Sequence, residues 1–186
     1  MHIGQTPLIR LERMAPPNGV EIWVKWEGAN PTGSMKDRMA LSMILGAERR
    51  GQLRPGGRVL DYTGGSTGSS LAMVPGATCV AGEPINSQVL AGHKPTGAHR
   101  IEGTGAGFVP AIYKADLADA VMAVTDADAF ATARHLAREE GLFGGISSGA
   151  NVWMALERAK HLPAGARIVT TVCDSGLKYL KGDLYR

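Results

Sequence analysis

Hydrophobic and polar residues alternate near the start of the chain, and the pattern then changes to a helical period. Residues 21–27 alternate with a period of two, which predicts a strand, and residues 28–34 have the composition of a turn. Over residues 35–50 a methionine or alanine recurs at every fourth position, Asp37 lies in the first turn and Gly51 follows the last. This spacing predicts a helix over residues 35–50.

Strands and helices continue to alternate through the rest of the chain. Thr125 and Asp128 resemble a capping box that opens a helix ending at Glu140, before Gly141. The pattern predicts further strands over residues 58–63, 77–81, 120–124 and 167–173, and further helices from residue 69 and over residues 150–160. The alternation indicates an α/β fold with a mostly parallel sheet flanked by helices.

Glycine is unusually frequent, at 25 of 186 residues, or about twice the average usage. Loops rich in glycine and serine at residues 28–34, 64–68 and 144–149 each precede a predicted helix, and residues 103–107 hold three more glycines. The free N–H groups of a helix N-terminus bind phosphate or carboxylate well. We therefore expect an anionic ligand.

Composition and charge narrow the class of protein. Apolar residues make up 44% of the chain, and a net charge of +3 gives no argument for nucleic-acid binding. Cys79 and Cys173 form neither a disulfide framework nor a four-thiolate zinc site, and the five histidines lack metal-ligand spacing. The sequence contains no secretory-signal pattern and no apolar stretch of membrane-spanning length. We therefore expect a cytoplasmic protein without a metal site.

Lys36 is the first candidate for chemistry. It lies in the first turn of the predicted helix, where the positive end of the helix dipole disfavours an ammonium group and favours the nucleophilic neutral amine. Such an amine can form a Schiff base with a carbonyl, and an anion-binding loop nearby would suit the phosphate of pyridoxal phosphate. A solvated lysine paired with Asp37 or Glu27 is the alternative.

A second candidate is serine catalysis. Residues 64–68 match the GxSxG pattern between a predicted strand and a predicted helix, which would make Ser66 a nucleophile. Residues 145–149 match the same pattern around Ser147. Two matches in one short chain indicate that glycine–serine turns recur here for another reason, and no Asp and His follow in a triad-like arrangement.

Several ordered motifs together resemble one family. They are GQTPL at residues 4–8, NPTGSMKDR at 30–38, TGGSTG at 63–68, HRIEGTGAGFVP at 99–110 and GISSGA at 145–150. In this order they resemble cysteine synthase and its relatives, the fold type II group of pyridoxal phosphate enzymes, over nearly the whole chain. The resemblance implies β-replacement or β-elimination on O-acetylserine-like amino acids, with sulfide or a thiol as partner and a homodimer as assembly.

The resemblance also implies roles for individual residues. Lys36 corresponds to the Schiff-base lysine that also moves the α-proton, and Ser147 to the serine that hydrogen-bonds the pyridine nitrogen. Ser66, Gly103 and Asp174 are implied at the cofactor. The substrate carboxylate is assigned to the loop that contains Thr63, Gly64, Gly65 and Thr67, where many relatives read TSGNTG, so Gly64 and Ser66 are departures.

A larger departure occurs at the junction between Val74 and Pro75. Relatives continue there through most of a smaller domain and a phosphate-binding loop, on the order of 100 residues, so this chain is predicted to lack most of that domain. Residues 1–74 would then form an N-terminal part with the lysine helix, and residues 75–186 the C-terminal part of the larger, cofactor-binding domain. A non-catalytic remnant or binding module therefore remains an alternative to an enzyme.

Overall fold

A computed structural model describes residues 3–51, 80–110 and 118–186, together with residues 78 and 113. The strands are β1 (Leu8–Arg10), β2 (Glu21–Trp26), β3 (Val80–Pro84), β4 (Ala120–Val124) and β5 (Arg167–Val172). The α-helices within these residues are α1 (Lys36–Arg49), α2 (Asp126–Glu140) and α3 (Ile146–Ala159), and short 3-10 turns occupy Glu27–Ala29 and Gly176–Tyr179.

Two sheets are formed by the described strands. β2 lies between β1, with which it is antiparallel, and β5, with which it is parallel. β3 and β4 form a parallel pair. The mixed α/β architecture predicted from the alternation is confirmed, and the three-residue β1 is too short to produce a period-two signal. The predicted strand over residues 58–63 and the predicted helix from residue 69 lie outside the described residues.

Residues typical of helix caps correctly predicted the ends of α1 and α2. The Thr125 hydroxyl accepts a hydrogen bond from the backbone N–H of Asp128 at 3.0 Å, and α2 ends before Gly141, whose φ is +68°. Gly51 likewise has a φ of +69° after α1. These backbone conformations suit glycine because it lacks a Cβ atom. Both predicted helices are confirmed to within one residue.

The start of α3 corrects a prediction. The sequence predicts a loop through Gly149, but the helix already begins at Ile146, after an extended Gly145. A Cβ atom at Gly149 would lie 2.0 Å from the carbonyl oxygen of Ala129, so glycine lets α3 approach α2 closely. Helix packing therefore explains a glycine that composition alone assigned to a turn.

The predicted strand over residues 77–81 is also displaced, because β3 extends to Pro84. Its polar residue Glu83 is buried and accepts hydrogen bonds from the backbone N–H groups of Leu90, at 2.8 Å, and Ala91, at 3.1 Å. A buried carboxylate paired with two donors is tolerated inside a strand. The sequence did not predict the second half of β3, because residues 82–84 have the composition of a turn.

The apolar core lies between the β1–β2–β5 sheet and helices α2 and α3. Ile22, Val24 and Val172 contribute from the strands, and Leu136 and Val152 from the helices, all fully buried. This packing fixes the carboxyl end of β5 relative to the N-terminus of α3. Within the described parts of the chain, no helix combines the length and apolar character needed to cross a membrane.

Candidate active site

Three segments meet where β5 ends. The backbone N–H of Met35 donates to the carbonyl oxygen of Cys173 at 2.9 Å, and that of Ser175 donates to the carbonyl oxygen of Gly33 at 2.9 Å. An isolated bridge joins Gly144 to Ser175 in the same way. The N-termini of α1 and α3 therefore both lie beside the carboxyl end of a parallel strand, a common location for ligand sites in α/β proteins.

Lys36 is the first residue of α1, and its side chain is exposed beside this strand end. The two carboxylates considered as its alternative partners are bound by other donors. Asp37 accepts hydrogen bonds from the backbone N–H of Thr32 at 2.8 Å and from its hydroxyl, and Glu27 belongs to a separate network. A lysine held by Asp37 or Glu27 is therefore not what the structure contains.

A buried carboxylate anchors the first turn of α1. Glu27 is 3% exposed and receives both Nε and Nη2 of Arg38, at 2.7 and 2.8 Å. The hydroxyl of Thr6 and the amide of Asn30 donate to the same carboxylate at 2.7 and 2.8 Å. This network joins the N-terminal segment and the turn before α1 to a residue two positions beyond Lys36. It thereby fixes the helix from which Lys36 projects.

Two neighbouring serines begin α3 in different environments. Ser148 is fully buried, and its hydroxyl accepts a hydrogen bond from the backbone N–H of Cys173 at 3.0 Å. Ser147 is half-buried and lies beside the thiol of Cys173. Burial raises the pKa of Cys173 to about 11, an effect that the Ser147 hydroxyl and the Lys36 charge partly oppose. Ser147 and Lys36 therefore both influence the Cys173 thiol at the end of β5, whereas Ser148 has a structural role.

Asp174 completes the cluster. Its Oδ2 atom accepts a hydrogen bond from the Tyr179 hydroxyl at 3.0 Å, whereas Oδ1 is buried and lacks a hydrogen-bond partner among the described residues. Burial raises the pKa of Asp174, although Tyr179, Lys178 and Lys36 oppose the shift. Burial and the adjacent carboxylate also raise the pKa of Tyr179, which keeps its hydroxyl protonated as a donor.

The glycine turn at residues 103–107 is held in place by hydrogen bonds to one of its carbonyl groups. Its three glycines all have positive φ values, and the carbonyl oxygen of Gly105 accepts hydrogen bonds from the Ser87 hydroxyl at 3.0 Å and from His99 Nε2 at 2.9 Å. A Cβ atom at Gly105 would lie 2.6 Å from that histidine nitrogen. The charge of Glu102, just before the turn, raises the pKa values of Asp174 and Tyr179. The place of Gly103 at the cofactor stays a prediction.

The donor set suits a pyridoxal group. Lys36 supplies an amine, Ser147 a hydroxyl and Asp174 a buried carboxylate oxygen that has no hydrogen-bond partner among the described residues, and lysine, hydroxyl and carboxylate groups can all bind this cofactor. Sequence reasoning missed the parts played by Tyr179 and by the Glu27 network, whose members are far apart in the chain. The remaining predicted positions, Thr63, Gly64, Gly65, Ser66 and Thr67, lie outside the described residues.

Comparison with known proteins shows the family to which the chain belongs. A family model described as pyridoxal-phosphate dependent enzyme matches residues 1–78 and 75–174. The chain belongs to this family, whose cofactor is pyridoxal phosphate. The prediction of a fold type II enzyme of this kind is thereby confirmed.

Individual relatives narrow the class to cysteine-synthase-like proteins. The chain is 28% identical to a probable cysteine synthase of Bacillus subtilis (strain 168) over 298 positions, covering 98% of this chain and 96% of the relative. It is 29% identical to cysteine synthase B of Escherichia coli (strain K12) over 286 positions, covering 98% and 94%.

Solved structures agree on the fold. A cysteine synthase from Entamoeba histolytica superimposes with a TM-score of 0.86 at 24% identity, covering 98% of this chain and 88% of that one. An O-ureido-L-serine synthase superimposes with a TM-score of 0.80 at 27% identity, covering 98% and 93%.

The alignments also support an internal deletion. The alignment with the Bacillus subtilis relative runs over 298 positions, so more than 100 positions have no counterpart in a chain of 186 residues. The two stretches matched by the family model meet at residues 75–78, beside the Val74–Pro75 junction. A chain that lacks most of the smaller domain, as the sequence predicts, accounts for both observations.

Proposed function

We propose that this chain is built for β-replacement on an O-acetylserine-like amino acid, with sulfide or a thiol as the second substrate. In this reaction the bond from the β-carbon to the acetate oxygen breaks, a carbon–sulfur bond forms, and acetate leaves with the proton of the thiol. The observation that carries the proposal is that Lys36 begins α1 directly after Met35, whose backbone N–H donates to the carbonyl oxygen of Cys173 at the end of β5.

Each residue of the site has a proposed part. Lys36 would hold the cofactor through its amine, and its Nζ atom would take the proton from the substrate α-carbon and return it. Ser147 would donate a hydrogen bond to the cofactor ring, and the backbone of Gly103 would border it. When bound, pyridoxal phosphate supplies an electron sink for a carbanion at the α-carbon.

Substrate recognition is proposed for the loop at residues 63–68. Thr63, Gly64, Gly65 and Thr67 would bind the substrate carboxylate, and Ser66 would contact the cofactor. Residues 1–74 would form the N-terminal part that carries Lys36, and residues 75–186 the C-terminal part of the larger domain. A homodimer is the proposed assembly.

A non-catalytic remnant is the second candidate, because more than 100 aligned positions are missing. If four hydrogen bonds to the cofactor phosphate are lost at about 1.5 kcal/mol each, binding weakens by about 6 kcal/mol, or roughly four decades of affinity. In that case the chain would bind pyridoxal phosphate weakly or fail to bind it.

A titration with pyridoxal phosphate separates the two candidates. An enzyme should gain a visible absorbance band and a raised unfolding temperature, because a ligand stabilises the state that binds it. The Lys36→Ala variant should lose the band, whereas Lys94→Ala, which removes an exposed lysine from another part of the chain, should keep it. Formation of cysteine from O-acetylserine and sulfide then tests the reaction. An unchanged band in Lys36→Ala would contradict the assignment of the lysine.

The serine-hydrolase hypothesis is less well supported. Ser147 is the second residue of α3 rather than the tip of a sharp turn between strand and helix, as a nucleophile elbow requires. Ser66 lies outside the described residues. Labelling by a fluorophosphonate that disappears in Ser66→Ala would favour a hydrolase over the proposed reaction.

A further inference from the structure

Residues 183–185, here called the latch, connect two segments that carry predicted site residues. Leu184 is 1% exposed and belongs to the same buried apolar cluster as Ile101 and Ile146. Ile101 lies just before the glycine turn at residues 103–107, and Ile146 is the first residue of α3. The latch therefore shares one buried cluster with the approach to the glycine turn and with the N-terminus of α3.

Tyr185 holds the turn that precedes α3. Its hydroxyl donates a hydrogen bond to the carbonyl oxygen of Gly144, and its ring lies beside that of Phe143, with the ring centroids 4.3 Å apart. Burial raises the pKa of Tyr185 to about 12, so the hydroxyl stays protonated as a donor. Gly145, the N-cap of α3, supplies no side-chain hydrogen bond to the helix. The contact with Tyr185 therefore steadies a helix start that lacks a side-chain cap.

Two arginines hold the other end of the latch. Arg100 donates from Nη1 to Oδ2 of Asp183 at 2.8 Å and from Nη2 to Oδ1. Arg134 of α2 donates from Nε to the carbonyl oxygen of Leu184 at 2.5 Å and from Nη2 to that of Asp183 at 2.8 Å. Both guanidinium groups also lie over the ring of Phe130, at 4.5 and 5.9 Å from its centroid. The latch is therefore oriented by groups that do not belong to α3.

We propose that Tyr185 is a positioning residue of the candidate site, which holds the first turn of α3 and is itself held through the Arg100–Asp183 ion pair. Where it concerns the cofactor, this inference rests on the proposed function, because Ser147 in that first turn is expected to bind the cofactor. A small displacement of a binding group removes much of its effect. Loss of the Tyr185 hydrogen bond should therefore weaken cofactor binding without unfolding the chain.

Amide hydrogen exchange in the protein without cofactor tests the positioning directly. The backbone N–H of Gly149 donates to the carbonyl oxygen of Gly145 at 3.1 Å, so its exchange rate reports opening of the first turn of α3. Tyr185→Phe keeps the aromatic ring but removes the hydroxyl, and it should speed this exchange about five- to tenfold, the effect of one lost hydrogen bond. Thr125→Ala, which loses a cap of similar strength on α2, controls for overall destabilisation and should leave the rate unchanged.

Asp183→Asn tests whether the ion pair acts through the latch. Its two side chains are 53% and 57% exposed, so the pair is weak and the variant should fold. Exchange at Gly149 should become at least about twofold faster, but the same change should add nothing in a chain that already carries Tyr185→Phe. Glu157→Gln is the matched control, because it removes an exposed ion pair with Lys160 near the other end of α3. It should leave the exchange rate unchanged.

Titration with pyridoxal phosphate gives the second measurement. The dissociation constant, followed by the visible band, should rise about five- to tenfold in Tyr185→Phe and keep its wild-type value in Glu157→Gln. An unchanged dissociation constant beside faster exchange would confine Tyr185 to a structural role and overturn the inference. Wild-type protein that binds no pyridoxal phosphate would overturn the proposed function, and the exchange rates would still decide whether Tyr185 holds the helix.

The exchange rates can overturn the inference in three further ways. Tyr185→Phe could leave the exchange rate of Gly149 unchanged, or Thr125→Ala could raise it equally. An unchanged rate in Asp183→Asn would show that the ion pair does not act on α3. If Tyr185→Phe does not fold, the comparison of Asp183→Asn with Glu157→Gln still decides, because both replace exposed carboxylates.

Discussion

Replacing Glu27 by glutamine is expected to destabilise the protein strongly. The substitution keeps the size of the side chain but exchanges one carboxylate oxygen for an NH₂ group, which then faces donors from Arg38, Thr6 or Asn30. The substitution removes the ion pair between Glu27, which is only 3% exposed, and Arg38. The Arg38 side chain is 41% exposed, so it can regain part of its hydration.

The expected loss follows from this geometry. Breaking a fully buried ion pair costs about 3–5 kcal/mol, and hydration of Arg38 places this case at the lower end, near 3 kcal/mol. Urea denaturation measures the change in the free energy of unfolding. The matched control is Glu21→Gln, because Glu21 pairs with Arg10 and Arg167 at the surface, where screening by water makes ion pairs weak. Equal losses in the two variants would refute the reasoning.

The stability of the protein should also depend on pH through Glu27. Burial alone would raise the pKa of Glu27, but the hydrogen bonds from Arg38, Thr6 and Asn30 outweigh it and hold this pKa below the usual glutamate value of about 4.3. A lowered folded-state pKa gives stability that is present above the unfolded-state pKa and lost as the pH falls through the folded-state value. The stability of the wild-type protein should therefore fall more steeply with decreasing pH than the stability of Glu27→Gln. Identical pH profiles for the wild-type protein and the variant would contradict the prediction.

Three further predictions concern packing, capping and reactivity. Gly149→Ala should destabilise the chain by about 1–3 kcal/mol in thermal unfolding, because its Cβ would overlap the backbone of α2, whereas Gly46→Ala in α1 should be neutral or stabilising. A loss no larger than that of Gly46→Ala would contradict the packing argument. Thr125→Ala should cost about 1 kcal/mol, the value of a lost N-cap, and an unchanged melting temperature would argue against it. In a Cys79→Ser variant, Cys173 should react slowly with a thiol reagent at neutral pH until urea unfolds the chain, because its pKa is raised to about 11 and it is buried; rapid labelling of Cys173 in the native variant would disprove this.

Sequence predicted helix ends well where the deciding contact is local. The cap at Thr125 and the glycine at position 141 act within a few residues of the chain, so their signals are visible without a structure. The start of α3 was missed because Gly149 is required by a residue of α2, twenty positions earlier. Tertiary contact overrode local composition there.

In the candidate site, too, the sequence predicted the features that depend on neighbouring residues and missed those that depend on distant ones. The position of Lys36 followed from a motif and from helix spacing, and both are properties of neighbouring residues. The carboxylate of Glu27, by contrast, accepts hydrogen bonds from residues as far apart in the chain as Thr6 and Arg38. The pairing of Asp174 with Tyr179 depends on the turn after β5. No period or spacing encodes such side-chain pairing, so the structure was needed to find it.

The pairing of β2 with β5 has a consequence for the order of folding. β2 occupies residues 21–26, but its parallel partner is not synthesised until residues 167–172, and only antiparallel β1 can pair with it earlier within the described sheet. Contacts between such distant segments form slowly because closing a long loop costs entropy. The strand end beside Lys36 is therefore completed only after residue 172 has been synthesised, so a nascent chain carries Lys36 before the strand that lies beside it exists.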